Sequence, residues 1–255
     1  MPFIATKGVS IDSRETDSIF SHLNKRGIHI DSTGEQHPKY NNPSLSKFAK
    51  RLACEQLNGG NSFLKYIRSS AIIGKNPICH FNFDGLTGEE IQSVIEIGNL
   101  LCSVGLLVNA KEDGRTLTGK FQLTPPSEEF LKGDFLEIAC YHIVSELLSN
   151  RSDSEVLPNV KTRDSNGKAH EYDLLFRIGK RIFLIEVKSG TFEAFDIFSN
   201  RGEAIGIKHD HQILVTNDRS TEEIEIINYF QTLHVCHSNG LSNIVEGLIN
   251  PHTSR

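Results

Sequence analysis

The stretch that decides the fold is 171-EYDLLFRIGKRIFLIEVKSG-190. Two mainly apolar runs, His170–Ile178 and Arg181–Lys188, predict two β-strands. They are joined by Gly179-Lys180, a two-residue connection typical of a tight β-hairpin. If those two residues form the loop, Ile178 pairs with Arg181. Each later pair then lies one residue further from the loop on both strands.

The hairpin register sets two acidic residues, Asp173 and Glu186, directly opposite each other. Opposed residues point to the same face, with Cβ atoms about 4.5–5.5 Å apart. Two carboxylates at that separation repel each other unless a cation lies between them, and carboxylate oxygens suit Mg²⁺ or Mn²⁺. Strand alternation places Lys188 roughly 7 Å beyond Glu186 on the same face, where it would hold an attacking water. Glu171, opposite Lys188, would orient the lysine or join a second metal site.

A plainer interpretation is that these charged residues lie on the solvated face of an edge hairpin, where charged side chains are commonest. The apolar residues on both sides of Glu186 favour a central strand instead.

The rest of the second half predicts helices and strands around this hairpin. An apolar stripe predicts a helix over Asp134–Ser149. Further expected strands are 155–163, Gln212–Thr216 and Leu233–His237, and further expected helices are Thr191 to about Ile207, Thr221–Gln231 and Leu241–Ile249. This order indicates an α/β fold in which helices cover both faces of a mixed sheet.

The first half predicts a smaller α+β domain. Pro43 to Leu57 is expected to be an amphipathic helix, and a second helix begins at Thr87 with the capping-box residue Glu90. A hairpin follows, with strands at 106–109 and 116–123. We therefore expect domains 1–126 and 127–255, separated after Thr124-Pro125-Pro126. The first 40 residues, apart from a short helix near Ile19–Lys25, are not assigned.

The first domain has two open interpretations. A helix followed by such a hairpin looks like the end of a winged helix-turn-helix domain, and the alternative is a support layer that touches no nucleic acid. The helices carry basic residues that would form either a nucleic-acid face or a solvated helix face: Lys47, Lys50, Arg51, Lys65 and Arg68.

Three short motifs in order resemble a known family. The helix start Gly133-Asp134-Phe135-Leu136-Glu137, the E-x-D strand of Asp173 and the strand Ile185-Glu186-Val187-Lys188-Ser189 are similar to PD-(D/E)xK nucleases. Within that superfamily they most resemble the nuclease half of CRISPR-associated ancillary effectors, in which a CARF sensor of cyclic oligoadenylate precedes the nuclease. Phe135 replaces the tryptophan of that pattern, and the chain is too short for a complete CARF domain as well as the middle region.

The resemblance implies a restriction-endonuclease-like fold and a metal-dependent endonuclease acting on DNA or RNA, in antiviral or mobile-element defence. It implies that Asp173, Glu186 and Glu137 bind Mg²⁺ or Mn²⁺, and that Lys188 completes the catalytic set. A homodimer or a protein partner is a further expectation. The alternative function is a winged-helix nucleic-acid-binding protein whose nuclease-like domain is structural.

Composition sets outer limits on function. The chain has 255 residues, of which 38% are hydrophobic and 23% charged, and these values are typical of a globular protein rather than a disordered one. The net charge of −5 argues against a surface that is basic all over. With no signal-like start and no long apolar run, the expected location is the cytoplasm, away from membranes. The five cysteines lack a CxxC pair and are expected to be buried thiols.

Overall fold

The computed structural model describes residues 18–190 and 195–250. Within these ranges the chain forms nine α-helices and nine β-strands. The helices are α1 (Ile19–Asn24), α2 (Pro43–Glu55), α3 (Asn61–Tyr66), α4 (Gly88–Ser103), α5 (Pro125–Glu129), α6 (Phe135–Leu148), α7 (Phe195–Ala204), α8 (Thr221–Phe230) and α9 (Leu241–Ile249). The strands are β1 (His29–Ser32), β2 (Ile78–Asn82), β3 (Leu107–Glu112), β4 (Thr116–Phe121), β5 (Ser154–Arg163), β6 (Ala169–Ile178), β7 (Arg181–Lys188), β8 (Gln212–Thr216) and β9 (His234–Cys236).

A six-stranded mixed sheet carries the candidate site. Its order is β1-β5-β6-β7-β8-β9, with antiparallel pairing from β1 to β7 and parallel pairing from β7 through β8 to β9. This confirms the predicted α/β fold class. Strands β7 and β8 and helix α9 have the predicted bounds. The predicted helix from Thr191 appears as α7, and residues 191–194 lie outside the described residues.

The sheet buries apolar side chains on both faces. Along β7, Phe183, Ile185 and Val187 belong to a large core cluster on the α6 side. Ile182 and Leu184 belong to a smaller cluster on the opposite face. The predicted alternation is therefore confirmed, and β7 is a central strand, which excludes the solvated edge hairpin.

The first half contains a second, three-stranded sheet of order β2-β4-β3. Helix α4 begins as predicted, because the Thr87 side chain accepts from the Glu90 amide and the Glu90 carboxylate accepts from the Thr87 amide. Strand β2 and helix α3 were not predicted. The large core cluster draws residues from both sides of Pro126, and the division into domains at that residue stays a prediction.

The unassigned N-terminal segment joins the six-stranded sheet. Helix α1 is close to the predicted short helix, and the Ser18 side chain caps it by accepting from the Ser21 amide. Strand β1 then pairs antiparallel with β5, so this segment lies against the second half of the chain.

All five cysteines lie in the described residues, and all are free thiols. Cys79, Cys140 and Cys236 are buried as expected, whereas Cys102 is half-buried and Cys54 is exposed.

Candidate functional site

The β6–β7 hairpin brings three of the predicted site residues together. Its register runs from Ile178–Arg181 to Leu174–Ile185, as the Gly179-Lys180 loop predicted. The next predicted pair, Asp173 with Glu186, is not part of this ladder. Instead, the Asp173 carboxylate accepts a hydrogen bond of 2.7 Å from the Val187 amide. The carboxylate therefore lies against the neighbouring strand, where β6 and β7 part.

Lys188 lies between the two strand acids. Its Nζ is 4.0 Å from Asp173 Oδ2 and 3.8 Å from Glu186 Oε2. By the sum of these distances, the two carboxylate oxygens are no more than about 8 Å apart. The acids and the lysine thus form one cluster.

The fourth predicted residue, Glu137, comes from the first turn of α6. The start of this helix is fixed against the end of β7, because Ser189 Oγ donates to the Lys132 carbonyl at 2.6 Å. A Cβ on Gly133 would lie 2.7 Å from Ser189 Oγ, so a side chain there would push this hydroxyl from its hydrogen bond with Lys132. The glycine of the helix-start motif therefore allows α6 to present Glu137 toward the strand acids.

Two N-terminal residues that the motifs did not indicate contact Glu137. The Tyr40 hydroxyl donates to Glu137 Oε2 at 3.5 Å, and Lys39 Nζ is 3.9 Å from the same oxygen. Lys39 also forms a 3.0 Å ion pair with Asp134. No sequence signal marks these residues, because they reach the site only through the tertiary fold.

Burial and mutual repulsion make the three acids hard to ionise. Burial, and then the neighbouring Asp173 charge, raise the pKa of Glu186 to about 8. The same two causes raise the pKa of Glu137 to about 7. Burial also raises the pKa of Asp173, although Lys188 and the Val187 hydrogen bond oppose the change. Such displaced pKa values are typical of functional sites, although structural charge networks produce them as well.

Arg201 is a further member of the cluster that the sequence did not indicate. From α7, its Nη1 donates to Glu186 Oε2 at 2.6 Å, and its Nη2 donates to the Glu171 carbonyl. The guanidinium carbon lies 5.4 Å from the centre of the Tyr172 ring, within cation–π range. Arg201 therefore offsets the charge of Glu186, whose side chain is only 2% exposed, less than those of Asp173 and Glu137.

The chemistry of these acids fits a hard divalent cation. Their carboxylate oxygens are of the type that such an ion prefers, and Glu186 Oε1 is buried without a hydrogen-bond partner among the described residues. As the side chains are placed, no group of three or more His, Cys, Asp or Glu residues in 18–190 and 195–250 converges closely enough to hold an ion. Metal binding would thus require the carboxylates to move from Lys188 and Arg201 toward a common point.

Glu171 does not lie deep in this cluster. Its half-exposed carboxylate accepts from Asn159 Nδ2 at 2.7 Å and lies 3.8 Å from Lys161 Nζ. The predicted roles of Glu171, as an orienting residue or a second-metal ligand, stay predictions.

Four of the basic residues of the first half form ion pairs or hydrogen bonds with other residues of the chain. Lys50 pairs with Glu146, Arg51 with Glu96 and Lys65 with Asp218, at 2.6, 2.8 and 2.9 Å. Arg68 donates to the carbonyl groups of Leu131 and Ser189. Arg51 and Lys65 are still more than half exposed, so the choice between a nucleic-acid face and a solvated helix face stays a prediction, as does the winged-helix interpretation.

No helix in the described part of the chain is both long enough and apolar enough to cross a membrane.

The comparisons with known proteins support the fold. The sequence matches no protein-family model and no curated protein. Among solved structures, the chain is similar to protein VC1899 from Vibrio cholerae, with a TM-score of 0.59 and 15% identity over 92% of this chain and 61% of that one. It is also similar to Can2 from Sulfobacillus thermosulfidooxidans, solved in complex with cyclic tetra-adenylate, with a TM-score of 0.64 and 15% identity. That match covers 91% of this chain and 61% of Can2. The chain therefore shares the fold of these two proteins and spans about three fifths of the length of each.

Proposed function

We propose that the protein is a metal-dependent nuclease that hydrolyses phosphodiester bonds of DNA or RNA. The observation that carries the proposal is the cluster in which the Lys188 ammonium lies within 4.0 Å of both Asp173 and Glu186, with Glu137 close by. An ordered set of three acids and one lysine, drawn from a helix and two strands, is the set that the PD-(D/E)xK resemblance implies.

The acids would hold Mg²⁺ or Mn²⁺, with Asp173 and Glu186 as the main ligands and Glu137 as an outer carboxylate or further ligand. When bound, such a cation lowers the pKa of a water molecule and polarises a phosphoryl oxygen. The Lys188 ammonium would donate a hydrogen bond to the attacking water and offset charge that develops on the phosphate. The apolar residues around Glu186 keep bulk water from this acid and would strengthen these electrostatic effects there.

Support for a role in defence comes from the sequence resemblance to CRISPR-associated ancillary nucleases and from the shared fold with Can2. Can2 was solved with cyclic tetra-adenylate. The present chain spans 61% of Can2, and the match does not show whether this chain binds that ligand. Control by cyclic tetra-adenylate is therefore tested separately from cleavage. A homodimer or protein partner is part of the same proposal, since many nucleases of this fold cut duplexes as pairs.

The test is a cleavage assay on single- and double-stranded DNA and RNA, with Mn²⁺, with Mg²⁺ and with EDTA. Each arm is run with and without cyclic tetra-adenylate. Lys188→Met should lower the rate at least about 100-fold while thermal unfolding is unchanged, because it removes the water-positioning ammonium. Lys161→Met is the matched control, since this half-exposed lysine lies on the adjoining strand β5 and pairs with Glu171 rather than with Asp173, Glu186 or Glu137.

Full activity of Lys188→Met, or cleavage that persists in EDTA, would contradict the proposal. Duplex binding that survives EDTA without cleavage under any metal would favour the winged-helix alternative.

A further inference from the structure

Near the candidate site, the alternation of side chains between the two faces of the sheet shifts by one residue in both β5 and β6. Leu157 and Val160 of β5 pack into the same core cluster, although they are three residues apart. Tyr172 and Leu175 of β6 do the same. In a regular strand, residues on one face are separated by an even number of positions. Each strand therefore changes face once within these intervals.

The reversal is centred on Asn159. The paired residues Pro158–Leu174 and Val160–Tyr172 lie on either side of it, and Asn159 itself has a φ of 46°. A left-handed conformation is unfavourable for residues with a side chain, although asparagine tolerates it better than most. Such a conformation inside a strand persists where the surrounding structure holds it, and it is often found at functional sites.

A loop from the N-terminal segment holds this conformation. The Gly34 amide donates to the Pro158 carbonyl at 2.7 Å. A Cβ on Gly34 would lie 2.7 Å from the Tyr40 ring and 3.1 Å from the Asn159 Cβ, so the loop sits tightly on the turn. Tyr40 in turn contacts Glu137. The turned strand and the site acids are thus parts of one packed unit.

The consequence falls on Asp173, which lies in the same interval of β6. Instead of continuing the regular alternation, its carboxylate accepts a hydrogen bond from the Val187 amide of the next strand. We propose that Asn159, through its left-handed backbone, is a positioning residue that aims the Asp173 carboxylate into the gap between β6 and β7. This positioning role concerns a metal ligand of the proposed nuclease, and its functional meaning rests on that proposed function.

The experiment compares two substitutions at one position. Asn159→Val and Asn159→Gly both remove the side-chain hydrogen bond to Glu171, but glycine tolerates a positive φ and valine does not. Asn109→Val is the matched control, because Asn109 has a φ of 53° in strand β3 of the other sheet. Two readouts need no catalysis: hydrogen exchange of the Val187 amide, and calorimetric Mn²⁺ affinity without nucleic acid.

For Asn159→Val, we expect the Val187 amide to exchange at least about tenfold faster and Mn²⁺ affinity to fall roughly tenfold, the scale found when a residue that orients a metal ligand is lost. Asn159→Gly and Asn109→Val should retain both values. If Asn159→Val does not fold, Asn159→Ala makes the same comparison with a smaller penalty on the left-handed conformation.

The inference is overturned if Asn159→Val keeps both the Val187 protection and the Mn²⁺ affinity. It is also overturned if Asn159→Gly loses them equally, because the side chain would then matter rather than the backbone. If the wild-type protein neither binds Mn²⁺ nor cleaves, the nuclease proposal fails, while Val187 exchange still decides whether Asn159 aims Asp173.

Discussion

Raising the pH from about 5 to about 8.5 in EDTA should destabilise the protein, because the burial of Glu186 favours its protonated form. Burial and the Asp173 charge raise the pKa of this carboxyl from 4.5 to about 8. For an acid whose pKa is raised by folding, the unfolded chain loses its proton first. The unfolded state therefore gains relative stability as the pH passes 4.5, until the folded carboxyl ionises near 8.

The size of the effect follows from the shift. Each unit of pKa difference corresponds to about 1.36 kcal/mol, so Glu186 accounts for at most roughly 5 kcal/mol over this range. Glu137, whose pKa is raised to about 7, changes stability in the same direction. We expect Glu186→Gln to remove about 2–5 kcal/mol of the pH dependence, because the amide does not titrate.

The assay is urea unfolding in EDTA at about pH 5, 7 and 8.5, with the free energy of unfolding extrapolated to water. Glu171→Gln is the control, since its carboxylate is half-exposed at the edge of the same site. A wild-type protein that is more stable at the highest pH would refute the reasoning. So would a Glu186→Gln variant whose pH dependence matches that of the wild type.

Three further predictions follow from particular contacts. The Arg201→Gln variant should bind Mn²⁺ about tenfold more tightly in calorimetry, because it lacks the guanidinium group that lies 2.6 Å from Glu186 Oε2 and repels the metal ion. Weaker binding would show that Arg201 instead holds Glu186 in its metal-binding form. Phe183→Ala should lower the free energy of unfolding in urea by about 3–5 kcal/mol, since this fully buried ring stacks on Phe176 with ring centres 4.8 Å apart. A loss below about 1 kcal/mol would contradict that packing. Thr87→Ala should cost about 1 kcal/mol through loss of the capping box of α4, with Thr87→Ser retaining most of the stability.

Local sequence signals predicted most elements of the second half. The apolar runs, the Gly179-Lys180 loop and the two-residue period of β7 were sufficient for the hairpin, because its register depends on residues close in the chain. The capping box likewise predicted the start of α4. Strand β2 was missed although burial alternates along Ile78–Asn82, because Ile78 is exposed at a position where the alternation calls for a polar residue.

The candidate site was predicted only in part. Motif spacing indicated Glu137, Asp173, Glu186 and Lys188, and the structure brings these four residues into one cluster. Motif spacing did not indicate Lys39, Tyr40 or Arg201, which come from distant segments and belong to no motif. The reversal at Asn159 was also missed, because nothing in the alternation of β5 residues marks a left-handed asparagine inside a strand.

The sequence by itself therefore determined the hairpin, its register as far as the pair Leu174–Ile185, and the acids and lysine that it carries. Strand pairing next to a two-residue loop is a local property. Only the tertiary structure decided which cations offset those acids, how deeply they are buried and where Asp173 points. These properties depend on contacts between segments far apart in the chain, such as Tyr40 and Glu137, which are 97 positions apart. They also depend on a backbone conformation that such contacts hold in place.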